Sequence, residues 1–337
     1  MEHITLSLKV LTPAFLAGAD QQAVELRAAS VRGLLRWWWR AGQSGDLKTM
    51  RENEARLFGS AEYGLKSPLV VKVRATRLAV LSRGEPAPQS GFFATYRRDG
   101  REGQADALHY LGYGPIRSLT RDERAEIERT QEACMVSKGQ PKEGPVLIRP
   151  AIAPGAELEV TLGWRGGTLV EEQVRALVEA AASWVTLGGI GCRSRKGYGA
   201  LHGSLTAASR DLETHTGHWD AQVELVQRPG PLPEVREVPD WPRLEYLQLS
   251  KVGDPSDSWQ HALGQLGRHY SNLRPRDPGE RWIAGDIDPR RASSVLLTLI
   301  EEQGKLQGVI ALLPCVKDRS GEGKQAMVRF AERIRGA

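Results

Sequence analysis

Three stretches of the sequence carry residue types that can do chemistry. In THTGHWD, His215 and His218 stand three apart with Asp211 and Asp220 nearby, the one local group resembling a metal or acid–base site for RNA cleavage. The spacing alone is weak, and a surface or linker pair explains it as well. His3, His109, His202, His261 and His269 are scattered, and neither HExxH nor a nucleophile elbow occurs. No catalytic residue, metal or cofactor is therefore expected.

The second stretch is GGIGCRSRKGYG, with Gly188, Gly189, Gly191, Gly197 and Gly199 around Arg193, Arg195 and Lys196. Glycines permit left-handed backbone and close approach, which would expose amide donors to an anion. The three cations would add phosphate contacts, and Tyr198 offers a ring on which a base could stack. The string matches neither GxxxxGK[ST] nor a dinucleotide fingerprint opening a helix, so ATP and NAD are poor candidates.

The third stretch, SVRGLLRWWWRAG from residue 30 to 42, interleaves tryptophan with arginine. At 100 degrees per residue Val31, Leu34, Leu35, Trp38 and Trp39 share one apolar arc. Arg32, Arg36 and Arg40 follow at spacing four on the adjoining face. One side suits a core, the other phosphate or an acidic partner.

These motifs need a scaffold. ITLSLKVL alternates as a half-buried strand ending at Thr12-Pro13, and Ser30 is a candidate cap for the tryptophan helix. Strands are expected over 65–80 and 155–163, and a hairpin or insertion over 81–109. A helix after Thr168 and Glu171 places Val174, Leu177, Val178, Ala181 and Val185 on one face. Strand, helix, two strands, helix, strand is the split βαβ order. The fold class expected is α+β: two ferredoxin-like, RRM-like domains with insertions. They would span 1–208 and, in abbreviated form, 244–337, with a proline-rich boundary segment over 209–243.

With 46 basic and 41 acidic residues the net charge is only +5, but about three quarters of the basic residues are arginine, the better partner for phosphates and bases. Cys134, Cys192 and Cys315 form no CxxC and fit a reducing cytoplasm. No apolar run approaches twenty residues and none opens the chain, so neither a membrane span nor a signal peptide is expected.

Thr12-Pro13, Ser30 to Ala41 read as S-x-R-G-L-L-R-x-W-x-R-A, and Gly189 to Gly199 read as GIGxRSRxGYG together resemble the RAMP superfamily, the repeat-associated proteins of CRISPR effector complexes. Within it the pattern is similar to the first-subunit family of type III-B Cmr complexes. Cys192 departs from the small residue usual at its position. The resemblance is strong to about residue 205 and weaker beyond. It implies a cytoplasmic, non-catalytic RNA-binding subunit of an antiviral ribonucleoprotein, near the end holding the 3′ part of the guide. Its partners would be CRISPR RNA, target RNA and other RAMP subunits. An RNA-processing endoribonuclease and a purely architectural subunit are the alternatives.

Overall fold

The computed structural model describes residues 1–98, 101–130, 132–138, 140–209, 211–284, 286–287, 290–291, 293–316 and 320–337. The principal elements are β1 (Glu2–Val10), α1 (Ala28–Ala41), α2 (Leu47–Phe58), β2 (Val70–Arg77), β3 (Phe93–Arg98), β4 (Arg101–Asp106), β5 (Glu157–Trp164), α3 (Glu171–Leu187), β6 (Leu201–Ala208), α4 (Leu212–Leu225), β7 (Gln248–Ser256), α5 (Trp259–Leu273), β8 (Val295–Glu302), β9 (Lys305–Leu312) and α6 (Gly321–Arg335). The chain is a mixed α/β protein with several small antiparallel sheets.

The first sheet runs β6-β1-β5-β2, each neighbour antiparallel. Alternation in β1 sends Ile4, Leu6, Leu8 and Val10 into the core, where Leu6 pairs with Val160 and Leu205. Over that face lie α1, through Val31, Leu35, Trp38 and Trp39, and α3, through Leu177, Val178, Ala181 and Trp184. All five residues expected on the buried face of α3 are buried.

The second sheet runs β7-β9-β8, again antiparallel. Leu296 and Ile300 join the core beneath α1 and α3, whereas Val295, Leu297 and Leu299 join a second core with Leu263, Leu266 and Tyr270 of α5 and Met327 and Phe330 of α6. A strand covered on both faces needs apolar residues at consecutive positions, which accounts for the unbroken run VLLTLI.

Several local expectations need correction. Helix α1 starts at Ala28 with Arg27 as its N-cap, so Ser30 lies inside the first turn and caps nothing. Helix α3 follows Val170, whose amide donates to the Gln173 side chain at 3.1 Å; valine has no acceptor to complete a box, and Thr168 instead bonds the Arg165 carbonyl. Residues 212–225, within the expected boundary segment, form α4, capped by Asp211 and anchored by the buried Trp219 against α3. Its apolar periodicity is weak; burial of the indole supplies what the pattern does not show. Helix α2 was not anticipated. Asp46 caps it by accepting from Lys48 and Thr49, while Met50, Leu57 and Phe58 bury one side.

Candidate functional site

Helix α1 presents its arginines as the spacing predicts, but they have protein partners. Arg32 donates to the Phe58 carbonyl at the end of α2. Arg36 and Arg40 both reach Glu54 of α2, Arg40 through Nε at 2.7 Å and Nη2 at 2.6 Å. The Glu54 side chain is only 3 % exposed, whereas both arginine side chains remain 42 % exposed. Burying a lone carboxylate would be costly, so two arginines meeting one acid offset that cost and leave a surplus of basic groups on the partly exposed side.

Trp38 and Trp39 are core residues, and Trp39 packs edge-on against Phe58 at 6.0 Å. Trp37, outside both arcs in sequence, stands half-buried beside Trp38. The Arg195 guanidinium lies 5.0 Å from its ring centroid. A cation–π contact thus brings the helix and the glycine-rich loop side by side.

The loop itself faces largely inward. Gly188 ends α3, its amide donating to the Trp184 carbonyl. Gly191 (φ +83°) and Gly199 (φ +68°) occupy left-handed backbone, and a Cβ at either would strike the Phe15 or Ile190 carbonyl oxygen. A Cβ at Gly189 would meet the Gly199 carbonyl, and one at Gly197 the Leu263 side chain. The amides of Ile190, Cys192, Lys196, Tyr198 and Gly199 donate to backbone carbonyls of Gly199, Phe15, Arg193, Arg193 and Pro13, which leaves these five no hydrogen for an anion. The glycines therefore let the loop fold tightly onto its own backbone and the 13–15 segment. They build no open phosphate cradle at those amides.

The side chains follow the same direction. Tyr198 is 0 % exposed, packs on Phe15 at 5.3 Å and donates its hydroxyl to the Leu108 carbonyl at 2.9 Å, so its ring has no face open to a base. Arg193 bonds the Tyr113 carbonyl and lies 6.0 Å from that ring. Arg195 donates to the Ser293 carbonyl at 2.8 Å, and its own carbonyl accepts from Leu297 of β8. Burial lowers the Arg195 pKa from its usual value.

Lys196 is half-buried as a residue, but its ammonium is enclosed, donating to the Tyr270 hydroxyl at 2.6 Å and lying 4.3 Å from that ring centroid. Burial, reinforced by Arg274, Arg193 and Arg195, pushes its pKa down to about 7 despite the opposing influence of Tyr110. The Tyr270 hydroxyl is pushed up to about 12 by burial. The loop is thus a clasp between the first sheet's helices and the second sheet.

The histidine pair shares one helix, and the arginines of the second half stand in separate settings. His215 is buried on α4 with Nδ1 lacking a hydrogen-bond partner, and His218 is half-buried on the same helix. Among the described residues no group of three or more His, Cys, Asp or Glu side chains is placed to hold a metal ion. Arg274 reaches the Tyr110 hydroxyl at 3.3 Å. Arg276 is exposed, and the side chains of Arg290 and Arg291 lie outside the described residues. No helix among the described residues is long and apolar enough to cross a membrane.

Sequence reasoning missed Glu54, Arg51 and Trp241. With Trp37, Arg40 and Met50 they line a cavity of about 230 Å³ between α1, α2 and the Trp241-Pro242 segment. Asp46 followed by Met50, Leu57 and Phe58 was the available signal for α2. Nothing local connects Trp241 to it.

Known proteins share this architecture. A 64-residue stretch is 38 % identical to CRISPR system Cmr subunit Cmr1-2 of Pyrococcus furiosus (strain ATCC 43587 / DSM 3638 / JCM 8422 / Vc1), over 18 % of this chain and 34 % of that protein. That alignment spans about a third of the relative's length. The crystal structure of apo Cmr1 from Pyrococcus furiosus superposes with a TM-score of 0.52 at 18 % identity, covering 94 % of this chain and 89 % of that one. A chain of the cryo-EM structure of type III-B Cmr-beta bound to cognate target RNA and AMPPnP, in the presence of ssDNA, gives 0.51 at 10 % identity, covering 98 % and 99 %. At these identities the superpositions speak to the fold. The RAMP superfamily profile matches residues 7–202, more than half of the sequence. It takes in the second half of β1, the arginine helix, Glu54 and the whole glycine-rich clasp, and on that extent this chain belongs to the RAMP superfamily.

Proposed function

We propose that the protein is a non-catalytic RNA-binding subunit of a type III-B CRISPR effector ribonucleoprotein, working beside other RAMP subunits on CRISPR RNA and target RNA. Its place is near the end holding the 3′ part of the guide. Its scaffold is two ferredoxin-like units, 1–208 and a shorter 244–337, flanking segment 209–243. The sheet order β6-β1-β5-β2, with helices between its first and second and its third and fourth strands, supports the first unit. The order β7-β9-β8 is the same plan without its fourth strand.

One observation carries the RNA-binding reading. Arg195 over Trp37 joins the loop to the surplus charge of Arg36 and Arg40, giving one cationic, aromatic surface. Arg32 flanks it on α1, and Arg51 is exposed on α2. Such a surface takes sugar–phosphate backbone and selects no sequence, which guide–target pairing supplies.

The inward turn of Tyr198 and Lys196 favours a second reading, in which the loop is architectural and RNA lies elsewhere or is not touched. A salt series of binding to labelled single-stranded RNA, with and without divalent metal, separates the readings. The Arg36→Gln/Arg40→Gln variant keeps donors for Glu54 while removing two charges. Intact RNA, bound by wild type with an affinity that falls with salt and bound more weakly by the variant, supports an RNA-binding surface on α1. Equal binding removes α1 from it, no binding favours the architectural subunit, and metal-dependent cleavage favours the endoribonuclease.

A further inference from the structure

The cavity between α1, α2 and the Trp241-Pro242 segment has a composition that phosphate binding alone does not require. Two indoles, Trp37 and Trp241, line it, each with a guanidinium over its ring: Arg195 at 5.0 Å and Arg243 at 4.1 Å. Glu54 is the acid among its lining residues, together with Arg40 and Arg51. Every hydrogen bond from Arg36 and Arg40 to that carboxylate goes to the same oxygen, Oε1. Among the described residues Oε2 takes none. An ionised carboxylate only accepts, so this wall calls for a ligand that donates N–H. The Trp241 indole N–H and the Arg243 Nε are buried without a hydrogen-bond partner, so the segment beside the cavity also holds donors without acceptors.

Size narrows the ligand. About 230 Å³ lies below the roughly 300–1,000 Å³ of sites that enclose drug-sized molecules, which suits one planar ring system with the remainder of its chain outside. Aromatic walls stack on any base, so stacking alone does not choose among bases. The polar groups do choose. Guanine alone sets two adjacent donors, N1–H and the N2 amino group, toward a single carboxylate oxygen, whose two lone pairs can accept both, while its O6 and N7 accept from guanidinium. Adenine and cytosine offer one amino group each on their pairing edges, and uracil a single imide N–H.

We propose that this cavity binds one unpaired guanine of RNA. Glu54 Oε2 accepts from the Watson–Crick edge, the indoles of Trp37 and Trp241 form the walls, and Arg51 attends the adjoining phosphate. The proposal rests on the RNA-binding reading above and adds a base preference to it. It also gives the Arg36–Glu54–Arg40 group a role beyond holding α1 to α2: the two arginines share one carboxylate oxygen and leave the other facing the ligand.

The test uses the full chain and two kinds of probe. Fluorescence anisotropy would compare oligouridine heptamers carrying a central G, A, C or U, and calorimetry would compare GMP with AMP, CMP and UMP. The variants are Trp241→Ala and Glu54→Gln, each checked by thermal melting, so that a folding defect in one leaves the other informative. A tenfold preference for the G heptamer and for GMP, lost in a folded variant, supports the site. Four heptamers binding alike, with GMP no tighter than AMP, overturns it while leaving RNA binding intact. If no heptamer binds but GMP is still preferred and depends on Trp241, the cavity stands and the RNA-binding reading fails. Absence of binding by any heptamer or nucleotide overturns both, leaving the cavity as a seat for a neighbouring subunit's side chain.

Discussion

The tryptophan helix and the glycine-rich loop are both glycine-, arginine- and aromatic-bearing, and both match one family's signature, yet the protein uses them in opposite ways. On α1 two arginines share one buried carboxylate and stay 42 % exposed. In the loop five backbone amides, Tyr198 and the Lys196 ammonium are committed to the interior. A cationic motif becomes a surface when its counter-ion is outnumbered and a clasp when the chain folds over it. Residue type does not separate the two, because the deciding partners, Glu54, Leu108, Tyr270 and Ser293, are supplied from distant positions.

The contrast breaks most severely at Gly199. Its left-handed φ and the Ile190 carbonyl oxygen 2.0 Å from an added Cβ make Gly199→Ala incompatible with the present backbone. A stability loss of about 4 kcal/mol is expected in urea unfolding. Gly33 on α1 has open space around an added Cβ, so Gly33→Ala should be neutral or stabilise by about 0.5–1 kcal/mol. Similar losses at both positions would erase the distinction between clasp and surface.

Lys196 gives the next largest effect and ties it to pH. In the folded protein it loses its proton near 7; unfolded, near its ordinary value of roughly 10.4. Between those values the unfolded chain holds more protons, so rising pH stabilises the fold through this group by up to ~1.4 kcal/mol per unit. The penalty is fully present below pH 7 and gone above the unfolded value. Lys196→Met should therefore be more stable than wild type by about 3 kcal/mol at pH 7, short of the full linkage value because part of the residue meets solvent. Urea midpoints at pH 7 and pH 9 should show that gap closing. A constant gap would mean that the ammonium is solvated and the clasp is looser than its geometry.

What the sequence disclosed follows from which interactions are local. The β1 alternation and the α3 face were readable because a strand or helix repeats its own buried side. The arginine spacing on α1 was readable for the same reason, and Arg32, Arg36 and Arg40 do share a helix. The role of Tyr198 was not. Its choice between a base and the Leu108 carbonyl depends on a residue 90 positions away. Helix α4 stayed hidden because its stability rests on Trp219 docking against α3, and Glu54 because it is an ordinary acid until α1 covers it.

On the open side, Arg36→Gln/Arg40→Gln should lower the steepness of log affinity against log salt by about 1.4–1.8 if each guanidinium neutralises one phosphate. Affinity near physiological salt should fall roughly tenfold. Arg193→Gln, on the clasp side, should change that slope by less than half as much. The same drop from both would make the loop part of the phosphate surface in spite of its internal bonds.

Tyr198→Phe is the mildest change and the sharpest probe of the loop's orientation. It deletes the hydroxyl that donates to the Leu108 carbonyl but keeps the ring that packs on Phe15. The Leu108 carbonyl also accepts from the Gly112 amide at 2.8 Å, so the deletion strands no acceptor and should cost only about 1 kcal/mol. Urea unfolding would show that small loss, with RNA affinity unchanged across the salt series. The opposite pattern, unchanged stability with weakened RNA binding, would mean that the hydroxyl meets RNA rather than Leu108. The loop would then open outward in solution, and the clasp and the α1 surface would be two parts of one interface.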